Sequence, residues 1–314
     1  MSALVTGGAG FIGSNLVDAL LARGERVVVV DDLSTGRRGN LEDALEQGAE
    51  LHELDVCDAD ALRALFERER PELVFHLAAQ IDVRRSVADP AADARVNVEG
   101  TINVLAAAQA AGARRVVYSA TGGAVYGEAE QVPTPEDAPA RPLAPYGQAK
   151  LSGEGYCALF ARLHGLSTVA LRYANVYGPR QDPLGEGGVI AIFCGCLAEG
   201  RTPTIYGDGE QTRDYVYVGD VVAANLRAAE LGVGGSINVG TGVETSVLDL
   251  VEAFRSLDGG DAFEPVHAEA RAGEVLRSCL DAARARELLG WEPEVGLAEG
   301  LRRTLATVSA PRAS

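Results

Sequence analysis

Residues 6–13, with the sequence TGGAGFIG, restrict the possible folds of this chain more than any other feature. They carry the spacing G-x-G-x-x-G from Gly8 onward, directly after an apolar run at 4–6 and before a helical pattern at 14–23. Glycines at this spacing let the backbone turn tightly from a strand into a helix and let a pyrophosphate approach the helix N-terminus. The segment therefore predicts a dinucleotide-binding βαβ unit.

An acidic residue stands where such a unit needs one. Residues 27–30 are four valines, which indicates a strand buried on both faces, and Asp31 follows them. A carboxylate there accepts hydrogen bonds from ribose hydroxyls and repels a 2′-phosphate, so NAD is favoured over NADP. Arg37 and Arg38 lie close by in sequence and would weaken that preference. The alternative, a glycine-rich turn in a non-binding α/β domain, explains the strand, turn, helix and acid together less well.

Apolar runs and helical patterns alternate as far as residue 173. Strands are predicted at 50–55, 73–77, 115–119 and 168–173, and helices at 58–69, 91–111 and 146–164. This alternation predicts an α/β fold with a doubly wound parallel sheet of the Rossmann kind.

Beyond residue 177 the pattern loosens, and a smaller domain is expected. Residues 178–188 are predicted as a loop or domain crossing, 190–198, 247–257 and 281–289 as helices, and 213–218 and 237–240 as strands. We therefore predict a dinucleotide-binding domain at 1–176, to which segments near 215–245 return, and a smaller mixed α/β substrate domain at 177–314.

The composition excludes several classes of partner. Asp plus Glu (45) exceeds Lys plus Arg (28), which gives a formal charge of −17, so nucleic acid and anionic membranes are disfavoured. No apolar run approaches the roughly 20 residues of a membrane span. The chain enters its first motif without a secretory signal, which predicts a cytoplasmic protein. The 5 cysteines and 4 histidines lack the spacing of a zinc site or a disulfide framework, so no metal is expected.

Tyr146 and Lys150 stand four residues apart in a predicted helix and share one of its faces. A free tyrosine titrates near pH 10 and is a poor base at neutral pH. A neighbouring ammonium, together with the positive ring of an oxidised nicotinamide, is expected to lower the pKa of Tyr146. Solvated helix faces often carry such a pair, but its place downstream of a dinucleotide loop makes it a candidate catalytic pair.

Further short motifs follow in order along the chain. They are DDLSTG at 31–36, HLAA at 76–79, NVEGT at 97–101, YGQAK at 146–150, RYANVYGP at 172–179 and RDYV at 213–216. Together with the glycine loop they resemble the extended short-chain dehydrogenase/reductases that act on nucleotide sugars, and among them the UDP-hexose 4-epimerases. The resemblance runs from residue 6 to about residue 290. It implies NAD as cofactor, a UDP-sugar substrate and a homodimer formed by the helices at 91–111 and 146–164.

The resemblance also implies a role for individual residues. Tyr146 would take the proton of the sugar 4-hydroxyl, and Lys150 would hold the nicotinamide ribose and tune Tyr146. A Ser or Thr usually bonds the same hydroxyl, but its usual position falls on Gly122, so the role goes to Thr121, with Ser119 in reserve. The implied cofactor contacts are Gly7, Gly10, Phe11, Ile12, Gly13, Asp31, Asp32, Ser34, Gly36, Asp55, Val56, Leu77, Ala78, Ala79, Asn97, Ser119, Tyr146, Lys150 and Tyr173. The implied substrate contacts are Thr121, Tyr146, Asn175, Val189, Ile190, Tyr206, Arg213, Arg271, Glu274 and Ser278.

Some of these residues have an equally good structural explanation. Asp55 could accept from the adenine amino group or cap the following helix. Arg213 and Arg271 would pair with phosphate, whose oxygens match the guanidinium fork. Taken alone, surface ion pairs of Arg213 with Asp214 and of Arg271 with Glu274 explain the two arginines better.

Two positions bear on the reaction and the substrate. In the similar 4,6-dehydratases an Asp-Glu pair follows the threonine, whereas Gly122 and Gly123 stand here, and glycine cannot act as a general acid or base. Epimerisation is therefore favoured over dehydration, with a decarboxylase or reductase as further alternatives. A protein that only senses dinucleotide would not need the Tyr–Lys pair. Ser278 stands where a bulky residue would block an N-acetyl group, so acetylated sugars are expected to fit.

Overall fold

The computed structural model describes residues 1–183, 188–258, 263–270 and 275–309. The strands are β1 Ser2–Thr6, β2 Arg26–Asp31, β3 Glu50–Glu53, β4 Leu73–His76, β5 Arg115–Thr121, β6 Ser167–Tyr173, β7 Asn175–Tyr177, β8 Thr204–Tyr206, β9 Thr212–Arg213, β10 Tyr215–Tyr217, β11 Gly235–Val239, β12 Thr245–Ser246, β13 Val266–Ala268 and β14 Arg277–Ser278. The helices are α1 Phe11–Ala22, α2 Glu42–Glu46, α3 Ala59–Glu69, α4 Val83–Ala88, α5 Pro90–Ala94, α6 Gly100–Ala111, α7 Gly122–Val125, α8 Pro145–His164, α9 Val189–Ala198, α10 Val218–Glu230, α11 Val247–Asp258, α12 Ala283–Leu289 and α13 Leu297–Ser309.

Seven parallel strands form the central sheet in the order β11-β6-β5-β4-β1-β2-β3. The chain runs outward from β1 through β2 to β3, then returns to β4 on the other side of β1 and runs outward again. The strand order therefore reverses between β1 and β4, and ligands bind at the carboxyl ends of strands beside such a reversal. This topology confirms the predicted Rossmann-like α/β class.

Helices cover both faces of the sheet. Leu16 of α1 and Val221 of α10 pack with Val29 in one buried cluster, and Phe66 of α3 and Val104 of α6 pack in a second. Both faces of β2 are thus covered, as its run of valines predicts. A third buried cluster joins α9, α11 and α13 beyond the sheet. Among the described helices none is both long and apolar enough to cross a membrane.

Several element boundaries differ from the prediction. Helix α1 begins at Phe11, three residues before the expected start at residue 14, because Gly10 already serves as its N-cap. The helix predicted at 91–111 begins with Pro90 and is interrupted by a π turn at Arg95–Glu99 between α5 and α6. A π turn inserts one extra residue and often marks a functional position. Here the turn contains Asn97, whose side chain bonds the backbone of Gln80.

Only part of the region near 215–245 joins the central sheet. Strand β11 pairs with β6 at its edge, and α10 lies against α1. Strand β10, in contrast, pairs with β7 in a separate two-stranded sheet. The division into domains at residue 176 stays a prediction.

Candidate active site

The glycine loop joins β1 to α1 in a turn that side chains would obstruct. Gly7 has a φ of +70°, and a Cβ atom there would lie 2.6 Å from the backbone nitrogen of Ala78. A Cβ atom at Gly13 would overlap the carbonyl oxygen of Gly7. The N-cap residue Gly10 offers no side chain to the first helical turn. The N–H groups of that turn are therefore free to hold an anion, which the helix dipole also favours.

Asp31 lies at the carboxyl end of β2, next to this loop. Its Oδ2 accepts a hydrogen bond from the Ala9 N–H and its Oδ1 from the Leu33 N–H, both at 2.9 Å. Burial raises the pKa of Asp31, and the two N–H donors act in the opposite direction. The carboxylate is thus fixed in place, with acceptor capacity left for a ribose hydroxyl.

Arg37 and Arg38, which were expected to weaken the preference for NAD, bind acidic residues. Arg37 binds Asp182 at 2.6 Å, and Arg38 lies 3.5 Å from Glu53. An arginine already held by a carboxylate is less available to a 2′-phosphate. The neighbouring Asp32 forms a turn of its own, because its Oδ1 accepts from both the N–H and the hydroxyl of Ser34.

Asp55 does not cap helix α3, so one of the two explanations given for this residue is wrong. This residue lies beyond β3, and its Oδ1 accepts from the Cys57 N–H at 2.8 Å. The cap of α3 is Asp58, which accepts from the Ala61 N–H. Val56 beside it is buried. On the other side of β1, Leu77 and Ala78 follow β4, and the Ala78 N–H donates to Thr6 Oγ1 at 3.3 Å.

Tyr146, Lys150 and Thr121 come together where α8 passes the end of β5. Pro145 occupies the first turn of α8, so Tyr146 lies at the start of the helix. The Thr121 side chain lies close enough to the Tyr146 phenol to lower its pKa. Lys150 Nζ donates to the Ser119 carbonyl at 2.8 Å and lies 5.2 Å from the centre of the Tyr118 ring.

The two candidate hydroxyls have different partners. The Ser119 side chain acts on the Tyr173 hydroxyl and lowers its pKa, and that hydroxyl donates to Asn225 at 2.9 Å. Thr121 is the hydroxyl that meets Tyr146. A Cβ atom at Gly122, the usual hydroxyl position, would overlap the side chain of Leu280. The space a serine would need at residue 122 is therefore already filled.

The expected lowering of the Tyr146 pKa depends partly on the nicotinamide charge and stays a prediction. Within the chain itself, burial and the charge of Asp93 together raise the pKa of Tyr146 to about 12, and the Thr121 side chain acts against both. Burial also lowers the pKa of Lys150 to about 8. The ammonium points at the Ser119 carbonyl instead of the phenol, which leaves the nicotinamide charge as the expected influence that lowers the pKa of Tyr146.

Two further residues near this pair were not foreseen. Ser86 Oγ accepts from the Tyr146 N–H at 3.2 Å, and Asp93 bonds the side chain of Asn97 at 3.0 Å. Asp93 stands four residues before Asn97 in a predicted helix, a spacing that could have drawn attention to it. Nothing in the local sequence indicates Ser86.

The candidate substrate residues gather where β7, β9, β10 and β14 meet. Asn175 donates through its N–H to the Asp214 carbonyl at 2.8 Å, and Ser278 pairs in register with Arg213. Arg213 donates to the Thr212 carbonyl at 2.8 Å. The Asp214 carboxylate accepts instead from Thr241, Gly242 and Leu280, so it is not the ion-pair partner that the alternative explanation gave to Arg213.

The remaining candidates lie further along the chain. Val189 and Ile190 begin α9, whose N-cap Gly188 provides no side-chain bond. Tyr206 ends β8, which pairs with β13, and its side chain is exposed. Arg271 and Glu274 lie outside the described residues, so their ion pair and their expected substrate contacts both stay predictions.

The fold and the site together define an extended short-chain dehydrogenase/reductase. The chain belongs to the NAD dependent epimerase/dehydratase family, whose profile matches residues 3–240. Over 307 residues it is 51% identical to the UDP-glucose 4-epimerase of Mycolicibacterium smegmatis, with 97% of each chain covered.

Two solved structures have nearly the same fold. The UDP-glucose 4-epimerase of Thermotoga maritima, solved with UDP-glucose, gives a TM-score of 0.94 at 48% identity and covers 98% of both chains. The UDP-glucose 4-epimerase of Thermus thermophilus, solved with NAD, gives 0.90 at 41% identity, covering 98% of this chain and 99% of the other.

The residues of this chain fit NAD. The uncapped first turn of α1 suits the pyrophosphate, and Asp31 suits an adenosine ribose without a 2′-phosphate. Ala78 and Ala79 are small residues beside the crevice, and Lys150 lies further along it at the end of β5. The chain thus presents groups suited to the pyrophosphate and to the adenosine ribose of the dinucleotide.

Proposed function

We propose that this chain interconverts the C4 epimers of a UDP-hexose, with UDP-glucose and UDP-galactose as the substrate pair and NAD as the resident cofactor. The observation that carries the proposal is the meeting of Tyr146, Thr121 and Lys150 beside the dinucleotide crevice. The chemistry that NAD supplies when bound is reversible hydride transfer. Relatives that are named UDP-glucose 4-epimerases match this chain over nearly their full length.

In the proposed mechanism Tyr146 takes the proton of the sugar 4-hydroxyl and later returns it. Thr121 bonds the same hydroxyl and keeps it aligned with the phenol. Lys150 holds its ammonium between the end of β5 and the crevice. Asn175 and Arg213 hold the diphosphate while the 4-keto sugar turns to present its other face. C4 then regains hydride on that other face with inverted configuration, and Tyr146 returns the proton to the 4-oxygen. Holding the diphosphate throughout also keeps the keto sugar from escaping.

The alternative of dehydration is less well supported. A 4,6-dehydratase needs an acid and a base after the threonine, and Gly122 and Gly123 offer neither. Leu280 packs directly over Gly122, so no neighbouring side chain takes that place. A cycle of oxidation and reduction at one carbon needs only the groups that are present.

The proposed function is tested by incubating the purified protein with UDP-galactose and no added cofactor. We expect UDP-glucose to appear until the two sugars reach equilibrium, because each turnover regenerates the bound NAD. Separation of the sugar nucleotides by chromatography measures the product. A 4-keto-6-deoxy sugar would indicate a dehydratase, and no product even with added NAD would refute the proposed function.

Ser278 is proposed to leave room for an N-acetyl group at the sugar C2. We expect the protein to epimerise UDP-GlcNAc as well as UDP-glucose, and Ser278→Tyr to lower kcat/KM for the acetylated sugar by at least about tenfold. The rate on UDP-glucose should change much less, because its C2 hydroxyl is small. Ser256→Tyr, at an exposed position on α11, is the matched control. A wild-type protein inactive on acetylated sugars would rule out this role.

A homodimer is proposed through the outer faces of α6 and α8. Ala106, Gln109 and Ala110 are exposed on α6, and Leu163 is 67% exposed on α8. Small and apolar side chains allow helices to approach closely and gain from being covered. Light scattering should give twice the 32.8 kDa of one chain.

We also propose a role in galactose metabolism in the cytoplasm. Subcellular fractionation of the source cells would test the location.

A further inference from the structure

A buried carboxylate that the proposed mechanism does not use lies beside the candidate catalytic pair. Asp93 on α5 is 1% exposed. Its Oδ1 accepts from the side-chain amides of Gln80 at 2.9 Å and Asn97 at 3.0 Å. Its Oδ2 is also buried and has no hydrogen-bond partner among the residues that the structure describes. Burying a carboxylate oxygen without a partner costs free energy, so this geometry calls for a compensating positive charge.

Lys150 lies on α8, the helix against which α5 is packed, and its positive charge acts on Asp93. The charge of Asp93 acts on both Tyr146 and Lys150 of this helix. Burial lowers the pKa of Lys150 to about 8, and Asp93 is the strongest of the influences that oppose this. Burial likewise raises the pKa of Asp93, and Lys150 is among the groups that oppose that shift. The two groups therefore stabilise each other's charged forms.

The other titratable groups that face Lys150 do not supply this charge. Glu154, one turn further along α8, is bound through both oxygens by Arg172, with Nη2 at 2.7 Å. Burial lowers the pKa of His76 and raises the pKa values of Tyr118 and Cys157. These three neighbours are therefore uncharged at neutral pH. Within the described ranges, Asp93 is the carboxylate near Lys150 that no arginine neutralises.

The amino-acid composition of the chain also singles out Lys150, whose buried amine needs a nearby negative charge. Lys150 is its only lysine, and the other 27 of its 28 basic residues (28 − 1) are arginines. A guanidinium stays charged in any surroundings, whereas the pKa of a buried amine shifts readily with its neighbours. A lone amine placed in a buried site depends on a nearby negative charge to remain protonated.

We propose that Asp93 is a positioning residue that keeps Lys150 protonated in its buried site. Its hydrogen bonds with Gln80 and Asn97 also connect the loop after β4 to the π turn. These bonds hold the cofactor crevice and α8 in a fixed relative position. The consequence for turnover rests on the proposed function, whereas the consequence for the protonation of Lys150 does not.

The variant Asp93→Asn tests this proposal. The amide oxygen can still accept from Gln80 and Asn97, while the negative charge is lost. Because Lys150 is the only lysine, protein grown with lysine labelled with ¹³C at Cε gives one NMR signal, and its titration midpoint reports this residue alone. We expect the midpoint in Asp93→Asn to fall by about one pH unit. The alkaline limb of the kcat/KM profile should move the same way.

Glu99→Gln is the matched control, since it removes an exposed acid from the adjoining π turn. Solvent screens that charge, so both the midpoint and the pH profile are expected to stay unchanged. An unchanged midpoint in Asp93→Asn, with lower kcat at every pH, would reduce Asp93 to a structural residue and overturn the proposal. So would a wild-type midpoint below pH 7, which needs no variant. If Asp93→Asn does not fold, Asp93→Ser must show the same downward shift.

Discussion

Tyr146→Phe is expected to lower kcat for UDP-galactose by about 10³-fold while the protein keeps its bound dinucleotide. The phenol is the proposed proton carrier, and removing its oxygen leaves the neighbouring Thr121 without the hydroxyl on which it acts. The ring itself remains, so the start of α8 should be undisturbed. Turnover is measured by chromatography of the sugar nucleotides, and bound dinucleotide by its release from the denatured protein.

Tyr156→Phe is the control for this variant. Tyr156 lies on the same helix, partly buried, and packs against the core below α8. Its loss of a hydroxyl should leave turnover within about twofold. A Tyr146→Phe protein with wild-type kcat would remove Tyr146 from its assigned role, whereas loss of both dinucleotide and turnover would point to a damaged fold.

Lys150→Arg is expected to lower kcat by at least about 10²-fold, although it conserves the positive charge. Lys150 is 3% exposed and has its Nζ fixed between the Ser119 carbonyl and the Tyr118 ring. A guanidinium is larger and planar, and it cannot occupy that space without moving β5 or α8. Lys150→Met should lose a similar factor and also bind the dinucleotide more weakly, because its charge is gone.

The reverse exchange at an exposed position is the control. Arg95→Lys, in the π turn, should leave turnover unchanged because this side chain reaches solvent. Steady-state kinetics over a range of UDP-galactose concentrations separates kcat from KM for each variant. A Lys150→Arg protein as active as the wild type would show that the site needs only a positive charge, contrary to the role proposed for an amine.

Local features predicted much of the site. The glycine spacing and the valine run led to the strand–turn–helix unit and to Asp31, because tight turns and buried strands depend on residues that are close in sequence. The helical spacing of Tyr146 and Lys150 likewise predicted a shared face, and both residues lie at the crevice. The start of α1 was misplaced because the helix runs through glycine and aromatic residues with no apolar period of their own.

Long-range packing decided what local spacing could not. Folding brings Thr121 to Tyr146 and Ser119 to Tyr173. Leu280, from a distant part of the chain, fills the space over Gly122. The partners of Arg37 and Arg38 are likewise carboxylates on other segments. None of these neighbours can be inferred from residues adjacent in the chain.

The sequence by itself determined the class of sheet and the dinucleotide turn and pointed to the candidate phenol–amine pair, since each depends on spacing within one segment. Only the tertiary structure determined the pKa values of these two residues. Burial raises the pKa of Tyr146 to about 12 and lowers the pKa of Lys150 to about 8, and the buried Asp93 acts on both. The physical reason is that desolvation and Coulomb interactions depend on distances between atoms of different segments, which exist only once the chain is folded.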